Sequence, residues 1–123
     1  MSQENKSILC VDDERDICEL IAAVVSSLNY TVVSSCCTYA EGLALAQSTS
    51  FDLYIISSGL TDGSGAELCR EIRASNPQTP IIFTSAGNFH KEIAAAKAVG
   101  VNQILKKPFY IGKLEAVISK LLS

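Results

Sequence analysis

The chain has 123 residues, of which 48% are hydrophobic and 19% are charged, and its formal net charge is −3. This length and composition indicate one domain with an apolar core and exclude a disordered, collagen-like or low-complexity protein. The acidic balance disfavours binding to nucleic acid or to an anionic membrane, and no apolar run approaches the ~20 residues that span a bilayer. Because the N-terminus also lacks a signal peptide, we expect a cytoplasmic protein, with a frayed tail over 1–6 and a single domain over 7–123.

Short apolar runs alternate with amphipathic stretches along the chain, which predicts strands alternating with helices. Asp13 or Glu14 can cap the first helix, Thr38 and Glu41 form a capping box for the second, and the Gly-rich segment 58–65 is the strongest loop signal. The predicted strands cover 7–11, 30–35, 53–56, 81–84 and 101–105. The predicted helices cover 14–28, a stretch after Thr38, 66–74, 93–99 with a start at Asn88 or His90, and 110–122.

This (βα)5 order predicts an α/β fold in which helices cover both faces of a parallel sheet, since each crossover between parallel strands needs a covering element. Five strands are too few for a closed eight-stranded barrel. We therefore expect an open, doubly wound five-stranded sheet of order 2-1-3-4-5. In such a sheet the ligand crevice lies beyond the carboxyl ends of the strands.

Polar side chains follow four of the predicted strands at that edge. Acidic side chains after the first strand, facing a lysine after the fifth, suggest a site for Mg²⁺ or phosphate. Equally, the acidic side chains could serve to cap the first helix, and spacing alone does not decide between the two. The residues at the strand ends are Asp12, Asp13 and Glu14, then Ser57, Ser58 and Gly59, then Thr84 and Ser85, and finally Lys106 and Lys107.

Cysteine and histidine give little support to an enzyme or to a zinc site. The five cysteines include no C-x-x-C pair, and Cys10, Cys18 and Cys69 are expected to be buried, reduced thiols. The adjacent Cys36-Cys37 pair suggests a redox hypothesis, although neighbours on a strand point to opposite faces. The lone His90 is expected on the surface, and no catalytic set can be assembled around it.

Four segments carry a resemblance to a known family. They are I-L-C-V-D-D-E at 8–14, F-D-L-Y-I-I at 51–56, P-I-I-F-T-S-A at 80–86 and I-L-K-K-P-F at 104–109. In them, and in their spacing around the (βα)5 pattern, residues 7–122 resemble the receiver domains of two-component response regulators. The resemblance implies a flavodoxin-like fold and a cytoplasmic role in phosphorelay signal transduction.

The resemblance assigns roles position by position. Asp12 and Asp13 match the acidic pair that holds Mg²⁺, and Gly59 matches the residue whose carbonyl completes the metal site. Lys107 matches the lysine that pairs with the phosphoryl group, and its bond to Pro108 resembles the family's cis peptide. Ser85 matches the hydroxyl residue that senses phosphorylation, although an offset could place Thr84 there.

Three departures from the family pattern determine which function we expect. Ser57 stands where the family has its phosphoacceptor Asp, Thr61 where it usually has Pro, and Ile104 where it has an aromatic switch residue. Neither Asp52, expected about 16 Å away along the strand, nor Asp62 on the loop is a good substitute acceptor. With Ser57 in place of a ligand carboxylate, any Mg²⁺ binding should be weak.

The sequence therefore indicates an atypical receiver that is not an enzyme and acts through protein–protein contacts. The expected partner, a kinase, a phosphotransfer protein or a downstream target, would bind the face formed by the last two helices and the fifth strand, roughly residues 88–123. Two alternatives are a conventional phosphorylatable receiver with a substitute acceptor and a flavodoxin-like cofactor binder. The acidic loop after the first strand disfavours the second, because it would repel a phosphate.

Overall fold

The computed structural model describes residues 6–28, 32–86 and 89–123. Residues 1–5 of the predicted tail, Tyr30 at the predicted start of the second strand and Asn88 lie outside these ranges. In chain order the elements are β1 (Ser7–Val11), α1 (Arg15–Ser27), β2 (Val32–Cys36), α2 (Tyr39–Ser48), β3 (Leu53–Ser57), β4 (Gly59–Leu60), β5 (Gly63–Ser64), α3 (Gly65–Ser75), β6 (Ile81–Ser85), α4 (Phe89–Val99), β7 (Gln103–Lys106) and α5 (Ile111–Leu122).

The main sheet has five parallel strands in the order β2-β1-β3-β6-β7. Because β6 and β7 are its fourth and fifth strands along the chain, the predicted order 2-1-3-4-5 and the α/β fold are confirmed. The antiparallel pair β4–β5 was not predicted. Each of its strands has two residues, too few for the alternation that reveals a strand, and they lie within the Gly-rich loop.

The last strand begins later than the sequence indicated. Gly100 has a φ of 84° and ends α4, a conformation that glycine adopts without strain. The N–H of Val101 then still donates to the carbonyl of Ala96, and the N–H of Asn102 donates to Ile81. Residues 101–102 are therefore part of the turn, and β7 starts at Gln103.

Two apolar layers hold the sheet between its helices. One layer lies against α1 and α5, and the other lies against α2, α3 and α4. Cys10 and Cys18 belong to the first layer and Cys69 to the second, so their predicted burial is confirmed. Burial raises the pKa of the Cys69 thiol to about 12. Within the described ranges, no helix combines the length and the apolar composition needed to cross a membrane.

Arg73 on α3 joins segments at the amino edge of the sheet, opposite the predicted site. Its Nη1 donates to the carbonyl oxygens of Asn76 at 2.8 Å and Thr79 at 2.6 Å. Its Nη2 donates to the carbonyl of Gly100 at 2.9 Å and to Oδ1 of Asn102 at 3.0 Å. One guanidinium thus ties the end of α3 to the turns before β6 and before β7.

We expect Arg73→Ala to lower the free energy of unfolding by about 2–4 kcal/mol, because charge-assisted hydrogen bonds to four acceptors are lost together. Arg70→Ala on the same helix is the matched control. Arg70 makes an exposed ion pair with Glu67, so its loss should cost less than about 1 kcal/mol. Urea denaturation of the two variants measures the difference. Equal losses would mean that the Arg73 contacts contribute no more than a surface pair.

Candidate functional site

Lys107 lies at the centre of the carboxyl edge of the sheet. Its backbone N–H donates to the carbonyl of Ser85 at 2.7 Å, and its peptide bond to Pro108 is cis. Its Nζ is 2.9 Å from Oδ2 of Asp12 and 3.2 Å from Oε1 of Glu14. The same Nζ donates to Oγ of Ser57 at 3.2 Å. The ends of β1 and β3 and the start of α1 therefore converge on one ammonium group.

The side chain of Asp12 contacts both the residue before α1 and Lys107. Its side chain is buried, and Oδ1 accepts a hydrogen bond from the N–H of Glu14 at 2.9 Å while Oδ2 pairs with Lys107. Glu14 occupies the position that precedes α1, but its side chain makes no capping bond. The N-cap is thus Glu14, one of the two predicted residues, but the expected capping bond from its side chain is absent, and Asp12 accepts from the N–H of Glu14 ahead of the helix.

Burial and charge act in opposite directions on the Asp12–Lys107 pair. Desolvation raises the pKa of Asp12, and the hydrogen bonds from Glu14 N–H and Lys107 offset part of that effect. Desolvation alone would lower the pKa of Lys107, but the carboxylates of Asp12 and Glu14 outweigh it and raise that pKa. Lys107 is thus held in its charged form at neutral pH.

Ser57 occupies the end of β3, facing this ammonium. It is buried, with 3% of its surface exposed, and its Oγ lies 3.5 Å from the carbonyl oxygen of Gly59. Asp13 is exposed at the rim. A groove lined by Asp13, Ser57, Gly59 and Lys107, together with Glu14 and Glu92, opens over the site. The structure thus brings together the predicted residues from β1, β3 and the end of β7.

The oxygen donors at this edge are of the kind that Mg²⁺ prefers, namely the carboxylates of Asp12 and Asp13 and the carbonyl of Gly59. The set contains two carboxylates from β1, and the β3 position contributes a hydroxyl. Across residues 6–28, 32–86 and 89–123, no group of three His, Cys, Asp or Glu side chains is arranged to hold a metal ion. The oxygen atoms at this edge are thus of a type that suits a divalent cation, but their arrangement in the described residues is not that of a metal site.

Ser85 and Thr84 occupy the end of β6 and differ in their surroundings. Ser85 is fully buried, and its Oγ donates to Oε1 of Glu92 on α4. Thr84 is equally buried, and its Oγ1 has no hydrogen-bond partner within the described part of the chain. Glu92 was not anticipated from the sequence. Its only signal was an acidic side chain in the first turn of the fourth helix, a common feature of helices.

Ile104 packs on the face of the sheet that α2, α3 and α4 cover. It pairs in register with Phe83, is half-buried and contacts the apolar layer under α2, α3 and α4. His90 is exposed in the first turn of α4, as expected.

The two other aspartates near β3 have structural roles. Oδ2 of Asp52 accepts from the N–H of Ser7 at 2.8 Å, at the opposite end of the strand from Ser57. Asp62, on the turn between β4 and β5, accepts from the N–H groups of Tyr39 at 2.6 Å and Ala40 at 3.1 Å. Asp62 thereby tethers the loop to the N-terminus of α2.

This tether is expected to be lost in acid. The N–H donors of Tyr39 and Ala40 lower the pKa of Asp62, so its contribution to stability is complete above the unfolded pKa of about 4 and disappears as the pH falls through the folded value. Asp62→Asn should be less stable than the wild type at pH 7, and the difference should shrink below about pH 4. Urea midpoints across this pH range test it. If the stability difference between the two proteins stayed constant with pH, the effect of the variant would come from the shape of its side chain rather than from the lost charge.

Known proteins resemble this chain over almost its whole length. The family model described as "Response regulator receiver domain" matches residues 8–119. Response regulator protein PilR of Pseudomonas aeruginosa is 34% identical over 93% of this chain. Response regulator ArlR of Staphylococcus epidermidis is 35% identical over 94% of this chain. A CheY-like receiver domain protein from Methanospirillum hungatei has a TM-score of 0.90 at 24% identity, covering 96% of this chain and 94% of that one, and therefore supports the fold.

The match covers only part of the curated relatives. The chain spans 25% of the length of PilR and 52% of the length of ArlR. By contrast, it covers 97% of the solved receiver domain of the Francisella response regulator 1452, with a TM-score of 0.85 at 24% identity. The five-stranded parallel sheet, the lysine-centred edge and the family match agree, and the chain belongs to the response regulator receiver domain family.

Proposed function

We propose that this chain is a receiver of a two-component system that signals through protein contacts without an aspartyl phosphate. The observation that carries the proposal is the hydroxyl of Ser57 at the end of β3, 3.2 Å from Nζ of Lys107. A carboxylate at this position could attack a phosphodonor and form an acyl phosphate. A serine hydroxyl is a weak nucleophile unless a neighbouring base removes its proton.

The surroundings of Ser57 argue against such a base. Lys107 is charged and donates a hydrogen bond to Oγ, so it withdraws electron density from the hydroxyl. Both oxygens of Asp12 are engaged, one by the N–H of Glu14 and the other by Lys107. A phosphoserine formed here would in any case be a stable ester, which would not support a fast reversible signal.

The test is incubation of the wild-type chain with acetyl phosphate and Mg²⁺, followed by intact mass measurement. We expect no phosphoryl adduct. Beryllofluoride, which mimics a phosphoryl group on a carboxylate, should leave the amide NMR spectrum unchanged. An adduct, or large shifts along β6 and β7, would contradict the proposal and favour a conventional receiver with a substitute acceptor.

We expect Mg²⁺ to bind weakly. The ion would be held by Asp12, Asp13 and the Gly59 carbonyl, and binding would compete with Lys107 for the Asp12 carboxylate. Titration calorimetry should therefore give an affinity weaker than micromolar. A micromolar dissociation constant would show that a donor other than these three replaces the missing carboxylate.

The proposed docking surface is the face formed by α4, β7 and α5, and the proposed partner is a kinase, a phosphotransfer protein or a downstream target. Two large apolar side chains support this assignment, since Tyr110 is 85% exposed and Ile111 is 49% exposed at the start of α5. Exposed aromatic and aliphatic side chains that lie together are typical of protein interfaces. The proposed activity is signalling rather than catalysis.

A further inference from the structure

Two cysteines face each other across the first apolar layer. Sγ of Cys10 on β1 lies 3.8 Å from Sγ of Cys18 on α1. Cys10 is fully buried and Cys18 is 4% exposed. The sulfur of Cys18 also lies 3.6 Å from the carbonyl oxygen of Asp12. The two thiols are free and their sulfur atoms are already in van der Waals contact.

The pair can be reached from solvent on the Cys18 side. An open groove between α1 and β2 is lined by Cys18, Arg15 and Cys37, with Glu19, Ala22 and Ser35. Cys18 lies at its base, whereas Cys10 lies behind Cys18 in the apolar layer. A small neutral oxidant could enter this groove and meet Cys18 first.

We infer that Cys10 and Cys18 are a dithiol that a hydroperoxide converts into a disulfide, with Cys18 as the thiol that attacks the peroxide and Cys10 as the resolving one. In the first step the Cys18 sulfur attacks one oxygen of the peroxide and the O–O bond breaks. When hydrogen peroxide is the oxidant, the departing hydroxide takes up the proton that the thiol loses, so that sulfenic acid and one water form. In the second step the Cys10 sulfur displaces hydroxide from the sulfenic acid, and a second water leaves. The two electrons of the dithiol thereby reduce one peroxide.

The other thiols lack this arrangement. Cys69 is buried in the opposite apolar layer, with a pKa raised to about 12 by desolvation. Cys36 contacts Cys18 through its carbonyl oxygen at 4.0 Å rather than through its sulfur. Burial raises the pKa of Cys36 to about 12 as well. Because contact with Cys18 and burial also raise the pKa of Cys10, the distance between the two sulfurs rather than the pKa distinguishes the pair. Cys37 is half-buried in the same groove as Cys18 and is the natural competitor for the sulfenic acid.

A bond between these sulfurs would act close to the lysine-centred edge. Cys18 lies in the first turn of α1, shortly after Glu14, and its sulfur contacts the backbone of Asp12. Oxidation would therefore draw the first turn of α1 against β1. The amide signals of residues 12–18 are expected to shift on oxidation, which gives a readout that is independent of mass.

The experiment treats the folded wild-type chain with hydrogen peroxide and measures the intact mass, and then blocks the remaining thiols in denaturant, where three blocking groups rather than five should be added. A loss of about 2 Da, corresponding to two hydrogen atoms, is expected before any thiol is oxidised further. Trypsin cleaves after Lys6, Arg15 and Arg70, so under non-reducing conditions peptide 7–15, which holds Cys10, should be joined to peptide 16–70. Because peptide 16–70 holds the other four cysteines, the variants below identify which of them is the partner. Blocking kinetics should show Cys18 lost at least about ten times faster than Cys69.

Single alanine variants identify the pair. Cys10→Ala and Cys18→Ala should abolish the loss of two hydrogens, whereas Cys37→Ala and Cys69→Ala should retain it. Circular dichroism verifies that each variant is folded, and the same treatment in denaturant gives the unselective pattern for comparison. A disulfide that depends on Cys37, sulfenic acid without any disulfide, or loss of all five thiols at similar rates would each overturn the inference.

Discussion

Ser57→Asp is expected to give the chain an Mg²⁺-dependent phosphoryl adduct that the wild type lacks. The introduced carboxylate would face Nζ of Lys107, which lies 3.2 Å from the present hydroxyl. It would also complete an oxygen set with Asp12, Asp13 and the Gly59 carbonyl, the kind of set that holds Mg²⁺. We expect acetyl phosphate to add one phosphoryl group, observed by intact mass.

The same variant is expected to respond to metal in its stability. A third carboxylate beside Asp12 and Asp13 should lower the thermal midpoint in the absence of Mg²⁺, since like charges in one site repel each other. Mg²⁺ should then raise the midpoint, because a ligand that binds the native state stabilises it by mass action. The wild type should show little change over the same Mg²⁺ range.

Ser57→Asn is the matched control, since it has nearly the shape of the aspartate variant without its charge or its nucleophilic oxygens. It should gain neither the adduct nor the Mg²⁺ response. If Ser57→Asp also gains neither, the other departures from the family, at Thr61 and Ile104, have changed the site as well. Because Ile104 packs against the apolar layer and lacks an aromatic ring, we expect the Mg²⁺ response to be recovered more fully than the conformational switch.

Gly65→Ala is expected to lower the free energy of unfolding by at least about 3 kcal/mol, a large part of the roughly 5–15 kcal/mol that stabilises a typical domain. A Cβ at Gly65 would lie 1.8 Å from the carbonyl oxygen of Ser57. The obstacle is backbone, which cannot rotate away as a flexible side chain would. The N–H of Gly65 also donates to the carbonyl of Ser58 at 2.8 Å, so the start of α3 is held tightly against the end of β3.

Gly112→Ala on α5 provides the control for this substitution. A Cβ there meets no atom within 4 Å, and alanine is the better helix former. This variant should be as stable as the wild type or more stable, by up to about 1 kcal/mol. Urea denaturation distinguishes the two variants. If Gly65→Ala lost as little stability as Gly112→Ala, the contact between β3 and α3 would have to be looser than the structure places it.

The alternation of strands and helices along the chain was predictable because apolar residues recur with different periods in the two, and the strand order followed from that alternation. The runs at 53–56 and 81–84 are short and, apart from Thr84, apolar, as expected for strands buried on both faces. The β4–β5 pair and the exact start of β7 were not predictable. They depend on hydrogen bonds of single backbone groups around the loop and Gly100, which no periodic pattern encodes.

The candidate site was predictable as far as the strand ends determine it. Parallel strands bring their carboxyl ends to one edge, so the proximity of Asp12, Ser57 and Lys107 follows from topology. The hydrogen bond between Ser85 and Glu92 and the one between Asp62 and the start of α2 do not follow from the topology. Both depend on how a helix or a loop is positioned over the sheet, and a lone acidic residue in the sequence is compatible with many such positions.

The ammonium of Lys107 has three hydrogens, and three oxygen atoms already surround it, from Asp12, Glu14 and Ser57. An anion that enters the groove must therefore displace one of these oxygens from the ammonium, because each of its N–H groups already has a partner. Glu14 is the readiest to leave, because 61% of its side chain is exposed whereas 2% of that of Asp12 is. Screening by salt weakens exposed pairs more than buried ones, so ionic strength sets how easily the lysine accepts a new partner while its bond to β1 persists.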